Sequence, residues 1–547
     1  MRFSFLALSA SLGLCLSTPA LMAQDLDLDS GSAVETQQDQ TTSDTTPEAE
    51  AAAEAANAAP TPQATQTTPQ TTRPAPSGFV LRDIRFQNGS AYLAPQEIAA
   101  AKAALIGQRY GNGSAQALAE ALTQMYRDRG IRSARVIPYN VSGGVLNVAF
   151  YEPVIGATRG GTRVVSDRYL DFRLQLPKGA LADDRQIDPR IARLQATDGL
   201  PLSYDYVPSA ENTVDVVVNV PDIQRHVTTV TLDNYGSPAF GREQLGVSHT
   251  INGLTGWNDP LTIATLLRRG SVTGTIDYSR VVLPNGGRVS LSLLGTNSRS
   301  FTGPLVTGRT RSATAGFSLP VIASAERGLS FFVSGTYNWE RSSLLGIQTL
   351  NMWGPQGTAG VTGYLNGEGW SLSASGQITA GTYSDAVFAT SGNTYVGLSG
   401  SALGAFSLGE HIFASVSVSG QYGVSGVMPT WNTFTVTGPA AVRGYPTNLS
   451  VGDSGYVARF QIEKSAPFAL GAGIGVRPFV FGDVGQAFDS TGAPLGLASS
   501  VGVGTSFTQG NNVFGDIYVA KPLTTGIVGW GTPSGAPTIG GSISVTF

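Results

Sequence analysis

The chain has 547 residues, of which only 13% are charged and 68 are glycine, with a formal net charge of −4. Length alone would suggest roughly three or four soluble domains. A charge-poor mixture with a mean hydropathy of +0.04 instead suits a barrel with one face in lipid and one in water. The acidic balance gives no reason to expect a nucleic-acid partner, and a single cysteine excludes an internal disulfide or a cysteine zinc cluster.

Residues 1–23 read as a secretory signal peptide: Arg2 supplies the positive start, Phe5–Leu16 the apolar core, and Ala20-Leu21-Met22-Ala23 a small-residue cleavage site. Leu14 is too bulky to precede a lipidated Cys15, so the mature chain is expected to contain no cysteine. No later stretch offers the roughly eighteen consecutive apolar residues of a membrane helix. A membrane-spanning form must therefore be a closed barrel. Residues 24–77, dominated by Asp, Gln, Thr, Ala and Pro, read as a disordered linker. Within it residues 47–58, opened by Pro47 and rich in Ala and Glu, read either as a short helix or as part of that tail.

Residues 79–152 follow a β-α-α-β-β order. Val80, Ile84 and Phe86 begin an extended run, and Pro95–Ile106 is an Ala-rich helix. Ser114 is placed to cap a second helix, whose stripe is Leu118, Leu122 and Met125, and Gly130 ends it. Strands over Ile131–Tyr139 and Val145–Tyr151 then pair across Asn140–Gly144. Residues 153–222 repeat the pattern more loosely, with helices near Ser166–Leu176 and Asp184–Ala196 and a closing strand over Val214–Val218.

From residue 226 to 547 the texture becomes strict alternation. Ile412, Ala414, Val416 and Val418 point one way while Phe413 and the intervening serines point the other. Period two with serine on the polar face indicates strands with lipid outside and a watery lumen inside. Runs fall near 227–235, 240–252, 259–268, 272–283, 286–298, 309–321, 328–341, 354–366, 368–381, 393–406 and 410–422. After a polar, Gly/Pro-rich loop from about Val424 to Ser450 come 455–465, 473–486, 493–508, 512–521 and 538–547. The sum is about sixteen strands, an even number as bacterial barrels require.

The long loop carries Val442-Arg443-Gly444-Tyr445, and some forty residues on a strand carries Phe481-Gly482-Asp483-Val484-Gly485. This pair of motifs, in this order, resembles the two-partner secretion transporters (TpsB; ShlB/FhaC/HecB-type) of the BamA-like outer-membrane superfamily. Gly452–Tyr456, Arg459–Glu463 and the Leu232–Ser237 segment followed by Gly241-Arg242 extend the likeness, which covers essentially Phe79–Phe547. The resemblance implies a mainly β fold, with two periplasmic α+β POTRA domains at 79–152 and 153–222 before a 16-stranded antiparallel transmembrane barrel at 226–547. It implies that the loop folds back into the lumen, where Arg443 meets Asp483. Gly444 would allow a close backbone approach there, and Tyr445 would pack beside it. It also implies that Phe547 closes a signal read by the barrel assembly machinery, and that residues 47–58 could serve as a plug.

The implied function is a pore, not an enzyme and without cofactor or metal. It captures a large exoprotein bearing an N-terminal two-partner secretion domain and passes it through the outer membrane. A barrel insertase of the same superfamily is the alternative, and a porin or adhesin a more distant one. Two lesser motifs carry no chemistry. Gly452-Asp453-Ser454-Gly455 imitates a serine-protease loop, but nothing places His226, His249 or His411 against Ser454. Gly471-Ala472-Gly473-Ile474-Gly475 imitates a nucleotide loop, yet no β-α unit follows it and no lysine follows a glycine.

Overall fold

The computed structural model describes residues 78–547 apart from 112, 410, 465–467, 470–472 and 528–534. The expected signal peptide at 1–23, linker at 24–77 and helix at 47–58 lie outside the described residues.

Two small α+β units come first. In the first, the strands Asp83–Phe86, Val145–Tyr151 and Arg135–Ser142 form one sheet in that order, its first pair parallel. Helices α1 (Pro95–Leu105) and α2 (Ala115–Arg127) complete the unit. Leu118, Leu122 and Tyr126 of α2 are buried against Ile84, Leu146 and Val148 of the sheet, as an i, i+4, i+8 stripe requires. The second unit repeats the topology: Val154–Arg159, Thr213–Asn219 and Ser203–Ala210 in that order, again with a parallel first pair, beside α3 (Asp167–Leu174) and α4 (Asp184–Asp198). Ser166 caps α3 by accepting from the Tyr169 amide at 3.3 Å.

Two local expectations need correction. Ser114 stands at the N-cap of α2 but does not cap it, because its hydroxyl turns back to donate to the Gly111 carbonyl at 2.7 Å. The strand expected from Ile131 begins only at Arg135. The amide of Arg132 is drawn to the Asp184 carboxylate of the second unit at 2.6 Å, and the Arg132 guanidinium joins the same oxygen pair at 3.0 Å. A cross-unit contact therefore takes the groups that a longer strand would use.

Sixteen antiparallel strands close a barrel, with one extra two-residue strand, Phe468–Ala469, beside Ile474–Phe488. The early strands are short, eight residues in His226–Asp233, while Val306–Ala323 and Arg327–Leu344 have 18 and Ile347–Gly367 has 21. The wall is therefore tallest away from the seam. The second strand starts at Gln244 rather than near 240, because Gly236 and Gly241 hold a turn there with Gly241 at φ 108°. Outward positions are apolar, such as Val272, Leu291, Val333, Val503 and Ile517, each about half exposed or more. Inward positions in Ile474–Phe488 are Phe479, Phe481, Asp483 and Ala487, all buried.

Aromatic rings cover paired glycines along the wall. Phe481 faces Gly502, Phe479 faces Gly504, Phe507 faces Gly515 and Tyr518 faces Gly540 in register. A Cβ at any of these glycines would come within 2.4 Å of the opposing ring. Glycine lets the ring lie flat on the neighbouring backbone and pins the strand register.

The second unit sits on barrel turns. Trp257 of the turn before Leu261–Arg268 packs on Tyr169 and Phe172, with ring centroids 5.6 and 5.0 Å away. The Ser166 amide donates to Gly256, and Arg173 donates through Nε to the Pro284 carbonyl at 3.0 Å. These turns mark one end of the barrel, and the hairpin at Arg269-Gly270 marks the other.

Candidate functional site

The loop between Ile412–Ser425 and Ser454–Lys464 folds into the barrel. Its stem is a two-strand ribbon, Phe434–Thr435 with Val451–Gly452. Val442 sits at its core with Val436, Leu449, Val457, Ala487 and Ala498. The Gly438 turn makes this possible: at φ 129° it lets Val442 reach back and donate to the Val436 carbonyl at 3.0 Å.

The next residue, Arg443, is buried and reaches Asp483 on the wall. Nε donates to Oδ2 at 2.8 Å, Nη2 to Oδ1 at 2.9 Å, and the Arg443 amide to Oδ2 at 3.1 Å. Nη1 donates to Gln461 Oε1 at 2.9 Å. The guanidinium lies over the Phe481 ring, 3.6 Å from its centroid, with Tyr518 beyond. A planar cation stacked on an aromatic face and clamped edge-on by a carboxylate has one orientation only. Arg459, paired in register with Asp483, brings a second guanidinium to 4.0 Å of Oδ1.

Gly444 takes φ 91°, and a Cβ there would stand 3.1 Å from that of Ala520. Tyr445 is buried, its hydroxyl 2.7 Å from the Ser499 carbonyl and 2.9 Å from that of Thr524. Gly485 also has a steric reason: a Cβ would meet Val436 of the loop at 2.8 Å and the Tyr456 carbonyl at 2.8 Å. Gly482 has none, since a Cβ there would meet only the Ser500 carbonyl at 4.0 Å. The structure thus brings Val442, Arg443, Gly444, Tyr445, Phe481, Asp483 and Gly485 to one place. Phe547 stands apart at the seam, exposed, its amide donating to the Thr228 carbonyl at 2.9 Å.

Sequence reasoning assigned no role to three further anchors. Gln461 holds Arg443, Tyr518 forms the floor beside Phe481, and buried Glu340 accepts from the Thr430 hydroxyl far along the loop. Gln461 stands within the quoted Arg459–Glu463 segment, on the same inward face as Arg459, so period two was the available signal. Nothing in the sequence links Glu340 to Thr430 across ninety residues. Among the described residues no cluster of three or more His, Cys, Asp or Glu side chains is arranged to hold a metal.

A closed sixteen-strand barrel with an apolar outer wall and an in-folded loop, behind α+β units, defines a β-barrel protein of the outer-membrane type. The full fold is similar to CdiB from Escherichia coli, with a TM-score of 0.60 and 18% identity over 88% of this chain and 93% of that one. CdiB from Acinetobacter baumannii gives 0.57 and 15% over 91% and 96%. BamA from Haemophilus ducreyi lacking POTRA domains 1–3 gives 0.55 and 13% over 86% and 100%. These likenesses speak to the fold. Residues 344–507 match the model of the haemolysin secretion/activation protein family ShlB/FhaC/HecB. No curated protein sequence matches. The family match lies wholly within the barrel and takes in both the Arg443 loop and Asp483, while the full-length likenesses give the fold.

Proposed function

We propose that the chain secretes one class of large exoprotein bearing an N-terminal two-partner secretion domain, without nucleotide hydrolysis. Residues 1–23 direct export, and 79–152 and 153–222 act as periplasmic POTRA domains beneath the 226–547 barrel. The POTRA pair captures the extended exoprotein by adding it to a sheet edge, which a closed barrel does not offer. Arg135–Ser142 and Ser203–Ala210 are such edge strands. Passage through the lumen then requires the loop carrying Arg443 to move, and Phe547 directs barrel assembly beforehand. With the loop displaced the barrel conducts ions.

The observation that carries this reading is the seat of Arg443 on Asp483: a loop tip held inside a barrel by an ion pair and a few hydrogen bonds is a part that can be released. Deleting Phe79–Val220 tests it, with secretion of the exoprotein into the medium as the measurement. The expected result is loss of secretion from a barrel that still inserts in the outer membrane. Normal secretion by the truncated barrel would overturn the proposal.

A further inference from the structure

Four arginines that the secretion reading does not use lie together on the outside of the barrel. Arg299, Arg309, Arg311 and Arg341 stand near the end of Arg288–Arg299, Val306–Ala323 and Arg327–Leu344 that lies away from the second α+β unit, and all are exposed. Alternation fixes their direction. Arg341 shares its face with Phe331, Val333 and Tyr337, which are exposed on the outer wall, and Arg299 shares its face with Leu291 and Leu293.

The level of these side chains follows from strand geometry. At about 3.4 Å per residue and a tilt near 40°, the outward run from Leu329 to Trp339 climbs roughly 26 Å, the height of the apolar band of an outer-membrane barrel. Arg341 is the next outward residue and so stands at the headgroup level. Arg309 is its directly paired neighbour on the adjacent strand. Two like charges facing each other across a strand pair repel. Among the described residues no carboxylate lies within ion-pair distance of Arg299, Arg309, Arg311 or Arg341. Arg311 is held by neutral acceptors, the Thr296 and Thr310 carbonyls and Asn297 Oδ1. Arg299, Arg309 and Arg341 together line a cleft of about 1130 Å³, with Asn297, Thr307 and Ser343 adding polar groups between them.

We propose that this cleft binds the phosphate groups of a phosphorylated glycolipid of the outer leaflet. Guanidinium groups pair with phosphate oxygens two at a time, so one polyvalent headgroup relieves the Arg309–Arg341 repulsion while its acyl chains lie on the apolar face below. A neutral or zwitterionic headgroup does not supply that charge, and free phosphate has no chains to use the wall. The outer-leaflet assignment rests on the orientation proposed above, with the α+β units in the periplasm.

The test uses the full chain, delipidated in neutral detergent, and titrates it with bis-phosphorylated lipid A, the same lipid dephosphorylated, and inorganic phosphate, reading retained lipid by native mass spectrometry and the barrel melting midpoint. Expected are saturable retention of the phosphorylated lipid, at least tenfold weaker retention of the other two, and at least tenfold weakening in the Arg309→Gln, Arg341→Gln double variant. Without lipid that variant melts no lower than the parent, since it has lost a repulsion, which separates loss of the site from misfolding. Arg327→Gln, at the other end of the same strand, leaves retention unchanged. Equal retention by the double variant, equal loss in Arg327→Gln, or equal binding of the dephosphorylated lipid would each overturn the proposal. A Thr302→Cys label answers the orientation separately: reaction with an impermeant maleimide on intact cells supports the outer leaflet. Reaction only after the outer membrane is breached overturns the orientation and the leaflet, whatever the lipid titration shows.

Discussion

Arg443 and Asp483 share three hydrogen bonds, two from the guanidinium and one from the Arg443 amide, on a wall residue whose side chain is fully buried. Arg443→Ala keeps the backbone amide and removes the charge and the two guanidinium bonds, whereas Asp483→Ala removes the acceptor of all three. Removing one member of a buried pair typically costs about 3–5 kcal/mol, and water in the lumen lowers that figure here. Arg443→Ala and Asp483→Ala are each expected to reduce secretion strongly while the barrel still assembles. The double alanine variant should be little worse than either single one. Strictly additive defects in secretion would mean that the two residues act separately.

Gly485 gives a sharper steric test, because the loop must lie against it. Gly485→Val drives side-chain atoms into Val436 of the loop and into the Tyr456 carbonyl, both only 2.8 Å from the first added carbon. Overpacking of this kind costs about 1–3 kcal/mol. The loop should be unseated, raising single-channel conductance and protease cleavage between Val436 and Leu449. Gly482→Ala, where the nearest atom is 4.0 Å away, should change neither. Equal behaviour of the two variants would show that loop seating does not depend on this approach.

The α+β units should soften in acid. Lys102, 2.7 Å from Asp83, holds that carboxyl below the usual aspartate range, and Arg185 does the same for Asp183. Burial pushes the Asp215 carboxyl up, but the Arg159 guanidinium and the Ala157 N–H together outweigh it and the net shift is downward. A carboxyl whose folded pKa is depressed adds stability above its unfolded value of about 3.9, and that stability is lost as pH falls through the folded value. All four α-helices of the described residues lie in these units, so circular dichroism at 222 nm follows them while the barrel persists. The helical melting midpoint should hold from pH 8 to 5 and fall below about pH 4. A midpoint constant down to pH 2 would contradict the assignment of these carboxylates.

Much of this architecture was legible because two-residue periodicity is a strong signal where one face meets lipid. Each of the sixteen alternating runs coincides with a barrel strand, and the errors sit at ends. The second strand began late because Gly236 and Gly241 form a turn that alternation cannot express. The central strands run several residues beyond their apolar stretch, as in Ile347–Gly367, where hydrogen bonding continues above the lipid. Arg443, Gly444, Tyr445 and Asp483 could be named from motifs, and period two puts Gln461 on the inward face with Arg459, whereas the contact of Glu340 with Thr430 became visible only with the fold. The Ser114 cap failed for a similar reason: its hydroxyl is turned toward the Gly111 carbonyl, to which it donates, and away from the helix amides it would have accepted from.

The last expectation concerns how the second unit is held against the barrel. Trp257 is the hub of that contact, edge-on to Tyr169, tilted on Phe172, with the Arg280 guanidinium 4.7 Å above its ring. Its turn is wired by the buried carboxylate of Asp259, which accepts from the Thr255 and Trp257 amides and from the Tyr278 hydroxyl. Trp257→Ala therefore removes the contact without breaking the turn. Loss of a packed tryptophan costs about 3–5 kcal/mol in a full core, and this half-buried one should fall toward the lower figure or below. Spin labels at Arg193→Cys in α4 and Glu326→Cys in a barrel turn, both exposed positions, would report the separation. The expected outcome is a broadened distance distribution, an unchanged barrel melting midpoint and secretion reduced several-fold, with Trp257→Phe restoring most of both. If the distribution stays narrow in Trp257→Ala, the backbone bonds from Ser166 to Gly256 and from Asn258 to Val164 hold the unit by themselves, and the tryptophan is not its anchor.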